Sequence, residues 1–122
     1  MATITPATAS ATTPPLLNPV ASTPAGDEIT VSATQELFIV FDNGHGSDIT
    51  VTISGQASSI TVGGKGAGSF TPTAKTISVV AGTTRLFHIP RDEIVGFRNG
   101  SGRVPITYTS GNAALTVQAI VA

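Results

Sequence analysis

The chain has 122 residues with six basic and seven acidic side chains, a formal net charge of −1, and neither cysteine nor tryptophan. The missing cysteines exclude a disulfide framework and thiolate chemistry, and six scattered basic residues offer no stripe for nucleic acid. Charged residues make up 11 %, against about 25 % in an ordinary soluble domain, so the surface must consist largely of hydroxyls, amides and small apolar groups.

A chain this long forms one domain, which hides about two-thirds of the surface its unfolded form exposes. Thirteen Gly and eight Pro, among many Thr, Ser and Val, favour strands and turns over helices. The N-terminus "MATITPATAS" lacks the basic start and apolar run of a secretory signal. No apolar stretch is long enough to cross a bilayer as a helix.

Residues 1–26 carry no charge and hold five of the eight prolines. Proline removes amide donors and disfavours helix in its predecessor, so this stretch is expected to be extended. Its composition suits either a disordered tail or an arm lying across another surface. The spaced apolar residues Ile4, Leu16, Leu17 and Val20, and the absence of Glu and Lys, favour the arm.

From Asp27 the pattern changes to period two. "EITVSA" (28–33), "ELFIVF" (36–41) and "DITVTIS" (48–54) read as strands, followed by "SSITV" (58–62) and "KTISVV" (75–80). "RLFHIP" (85–90), "VPITYT" (104–109) and "ALTVQAIV" (114–121) complete about eight. Turn clusters fall between them at 63–69, 81–84, 99–102 and 110–112, and "PRDEIVGF" (90–97) suits a helical turn. Short strands at this spacing predict an all-β fold, an eight-stranded sandwich or jelly roll over residues 27–122 preceded by the extended arm 1–26.

The stretch "FDNGHGSDI" (41–49) concentrates two acids, an asparagine and a histidine. As an EF-hand loop it fails, because counting from Asp42 places Gly44, Gly46 and Ile53 where oxygen ligands are needed. "GHGSD" matches one copy of a calcium-binding nonapeptide, which works only as stacked repeats. The expected structure is instead a hairpin turning at Asn43-Gly44. "VGGKGAG" (62–68) lacks the Ser/Thr after its lysine and so is not a phosphate loop. His45 and His88 stand without cysteines or a carboxylate pair, a poor zinc set. Phe38, Phe41, Phe87 and Tyr108 fall at apolar strand positions, where core packing accounts for them. No catalytic residue, cofactor site or metal site is predicted, and a small hydrolase finds no motif of the required spacing.

Taken together, "NPVASTPAGDEI", "ELFIVFDNGHGSDITVTI" and "ISVVAGTTRLFHIPRDEIVGFRNGSGRVPITYTSGNAALTVQAIVA" resemble the small capsid decoration, or cement, proteins of tailed bacteriophages. The likeness covers nearly the whole chain. It implies a jelly-roll or sandwich on the outside of an icosahedral shell, made in the host cytoplasm. Its partner would be the major capsid protein, bound across neighbouring subunits, and its own state a homo-oligomer, most naturally a trimer. Residues expected to meet those partners are Ile4, Pro6, Pro14, Pro15, Leu16, Leu17 and Val20. Other readings are a tail, neck or fibre-associated β-domain of a virion, or a carbohydrate-binding or adhesion module, although the latter usually needs exposed aromatics.

Overall fold

A computed structural model of the chain describes residues 2–10, 12, 15–56, 58–61 and 67–122, with 58–61 and 67–70 described as backbone. The architecture is all-β. Among the described residues twelve strands run as β1 (Ala2–Ile4), β2 (Ala7–Thr8), β3 (Val20–Ala21), β4 (Asp27–Thr30), β5 (Leu37–Asn43), β6 (Ile49–Ile53), β7 (Ser58–Thr61), β8 (Ala67–Phe70), β9 (Lys75–Val79), β10 (Thr84–Ile89), β11 (Arg103–Thr109) and β12 (Leu115–Val121). The described helix is a single 3-10 turn, Ile94–Phe97, inside the stretch where the sequence suits one.

Two sheets pack face to face. The first has the order β1-β4-β11-β6-β9, the second β10-β5-β12-β2 with β3 also on β12, and β7-β8 form a separate hairpin. Alternation decides which side chains enter the core. Ile49, Val51 and Ile53 of β6 and Val104 and Ile106 of β11 face Leu37, Ile39 and Phe41 of β5, and Leu115, Val117 and Ala119 of β12; all are essentially inaccessible. Their Thr neighbours lie on the wetter faces. Each of the eight strands read from the sequence is present within a residue or three at its ends.

Four strands were not foreseen. β8 occupies part of the expected turn cluster 63–69, whose residues 63–66 lie outside the described set. The other three belong to the leading segment. β1 runs parallel to β4, pairing Ile4 with Ile29. β2 runs parallel to the end of β12, and β3 antiparallel to its start. Residues 2–8 therefore begin on the edge of one sheet and finish on the edge of the other, closing one flank of the sandwich. Pro6 sits at the crossing between them, where neither ladder needs an amide donor.

The expected hairpin at Asn43-Gly44 is corrected. β5 and β6 belong to different sheets, so residues 44–48 carry the chain across the sandwich. Both edges of β5 are already taken along its length, by β10 and by β12, and β6 finds its partners in the other layer. Asn43 makes this corner. Its buried side chain donates from Nδ2 to Ser47 O (2.9 Å) and Val79 O (2.8 Å). Its Oδ1 accepts the His45 amide at 2.9 Å.

A candidate interaction surface on the leading segment

The leading segment is fastened to the body at its turn of return. Ser22 N donates to Leu115 O (2.8 Å) and Ser22 Oγ to Asn112 O (2.9 Å). Asp27, fully buried, accepts the Thr23 amide on Oδ2 at 3.1 Å and the Tyr108 hydroxyl on the same oxygen at 2.7 Å. Burial, reinforced by that hydrogen bond and by the carboxylate's charge, pushes the Tyr108 phenol well above its ordinary range. Gly111 leaves room for the turn: a Cβ there would sit 2.7 Å from Pro24 O. At the other end, Ala9 N donates to Val121 O at 2.8 Å.

Between these two fastenings the described residues 16–20 are all exposed. Leu16 is 91 % exposed, Leu17 54 % and Val20 38 %. Apolar side chains of this size, neighbours in the chain and open to water, are the kind of surface that partners cover. Pro15 and Pro6 are half-buried. Pro14 lies outside the described residues.

Ile4 is not at such a surface. It is 6 % exposed and belongs to the core cluster of this chain, because β1 places it opposite Ile29, between the sheets. A partner contact at Ile4 is therefore corrected to a core contact, while Leu16, Leu17 and Val20 stay outward.

A groove of about 490 Å³ lies beside residues 16–20, its lining including Ile4, Pro6, Leu16, Asn18, Val20 and Gln118. β3 covers positions 116–117 of β12 and β2 covers 120–121, so the edge of β12 is bare at 118–119. Gln118, 7 % exposed, fills the gap by donating from Nε2 to Ala119 O at 2.9 Å. Its Oε1 is buried with no hydrogen-bond partner. Sequence pattern gives no sign of this residue: it holds an outward position in an otherwise regular strand, and only the interrupted cover of the arm buries it.

The other polar groups weighed in the sequence serve the frame. Asp42 Oδ1 accepts the Thr84 hydroxyl at 3.2 Å, and Asp48 Oδ1 accepts the Ala81 amide at 3.0 Å. His88 points outwards and stacks on Phe38, with ring centroids 4.5 Å apart and planes 5° from parallel; Glu36 Oε1 lies 3.8 Å from its Nε2. Phe41 is core, Phe87 and Tyr108 pack against it, and Phe38 belongs to the outer face. Comparison with protein families, curated proteins and solved structures finds no match to this chain.

Proposed function

We propose that the chain is a virion structural protein that decorates and stabilises an icosahedral phage capsid by binding across major capsid protein subunits, its sandwich being of the jelly-roll-like kind that the sequence resemblance implies. The observation that carries this reading is the outward pair Leu16 and Leu17, held on an extended segment that is fastened on both sides. A segment already extended and pinned loses little further entropy when it docks. Burying a leucine stabilises a contact by about 1.5–3 kcal/mol, and a lattice of copies multiplies a modest contact into firm attachment. Low charge keeps repulsion between crowded neighbours small. The chain acts on the capsid exterior as a homo-oligomer, with a trimer suited to three-fold positions, and needs no cofactor.

The test is cosedimentation of the purified chain with undecorated shells of the phage that encodes it. Binding is expected for the wild type. Because both leucines are exposed, Leu16→Asp combined with Leu17→Asp should leave the melting temperature unchanged while weakening binding by about tenfold or more. No binding by the wild type would remove the capsid reading; undiminished binding by the variant would remove the role of the leucine pair.

A further inference from the structure

The loop after the 3-10 turn holds a half-buried cation without a counter-charge. Arg98 donates from Nε to Val31 O at 2.7 Å, which fixes the plane of its guanidinium and leaves the Nη end of the fork. Among the described residues no carboxylate pairs with it. Lys75 and Arg103, by contrast, are paired with Glu93 at 3.1 Å and Glu28 at 3.3 Å. Taking a cation partly out of water without an anion is unfavourable, and here the cost is not offset by any described side chain.

The loop around Arg98 is firmly built. Asn99 Oδ1 accepts the amides of Ser101 (2.9 Å) and Arg103 (3.1 Å), and Asn99 N donates to Arg103 O at 2.7 Å. Gly102 adopts φ +75°, and a Cβ there would lie 2.9 Å from Arg98 Nη2. A side chain at 102 would be strained by that backbone conformation and would have to displace the tip of Arg98. The guanidinium borders a groove of about 570 Å³ whose lining includes Thr5, Thr30, Ser32, Gln35 and Ser101.

We propose that this groove is a carboxylate-binding site with Arg98 as its anchor. The Nη end of a guanidinium matches the two oxygens of a carboxylate. A single positive charge is balanced by a monoanion, whereas a phosphate dianion would leave surplus negative charge beside the guanidinium. The groove is shallow and open, with room beside Arg98 for more of a ligand than its carboxylate. Serine and threonine hydroxyls both donate and accept, so they serve the neutral polar remainder of the ligand. Two sources share this chemistry: a free hydroxylated acid, and an acidic side chain on an approaching polypeptide. The site stands independently of the capsid reading. Since Thr5 belongs to the leading segment, a bound carboxylate also ties that segment to the body.

The experiment is a heteronuclear NMR titration of the full chain with glucuronate, with N-acetylglutamate amide, and with sulfate. Saturable shifts are expected at the Arg98 side chain and at the amides of Val31 and 99–102, together with slower exchange of the Ala9 amide. A response to glucuronate alone assigns the free hydroxy acid; a comparable response to the glutamate derivative assigns the acidic side chain. Arg98→Gln should weaken the response about tenfold or more. Arg98→Lys keeps the charge and the aliphatic stem, and should also lose affinity because the fork is gone. No shift with either carboxylate, an equal response to sulfate, or affinity unchanged in both variants overturns the site.

Discussion

Tyr108 is the one tyrosine of the chain, and with no tryptophan present its ionisation can be followed alone by tyrosinate absorbance. Its hydroxyl donates to the buried Asp27 carboxylate, so the folded chain holds that proton to higher pH than the unfolded one. Below about pH 10 both states are protonated and the group adds no pH dependence. Above it the unfolded chain binds fewer protons than the folded one, and stability falls as pH rises. Urea unfolding at successive pH values should show this decline for the wild type and a shallower one for Tyr108→Phe; matching slopes would contradict it. Asn43 is the second residue on which much rests. Asn43→Ala strands the Val79 carbonyl at a buried corner and should cost about 3 kcal/mol in the same assay, whereas a hairpin turn residue in solvent would cost far less. The sequence motif is the same in both cases. What separates them is whether the flanking strands pair with each other, and no local residue records that.

At the level of elements, the period-two stretches were legible because each is long enough for one face to declare itself. "DITVTIS" and "ALTVQAIV" alternate through several residues and become β6 and β12. β1, β2 and β3 span two or three residues each, too few for periodicity to show. They are held by ladders to strands far along the chain, and proline-rich composition points equally to a free tail. Ile4 shows the consequence. Its character suggests an anchor on a partner, but the surface it enters is the chain's own interior. Ile4→Ala should therefore destabilise the fold by about 2–4 kcal/mol, measured as a shift in urea midpoint at unchanged slope. A change under half a kcal/mol would mean that the segment contributes nothing to the core.

Over the whole molecule, the two flanks of the sandwich are closed differently. On one, β9 and β10 are the outer strands of the two sheets and the tight turn 80–83 joins them. On the other, the leading segment bridges β4 and β12, closing the core with Ile4 and raising Leu16 and Leu17 into solvent. Presentation of those leucines depends on the segment being in place before any partner arrives. Amide hydrogen exchange on the free chain tests this most directly. The amides of Ala9 and Ser22, which donate to Val121 O and Leu115 O, should exchange far more slowly than coil, with protection of the same order as amides of the outer strands of the body. Exchange of both at coil rates, beside a protected body over residues 27–122, would contradict a leading segment built into the fold.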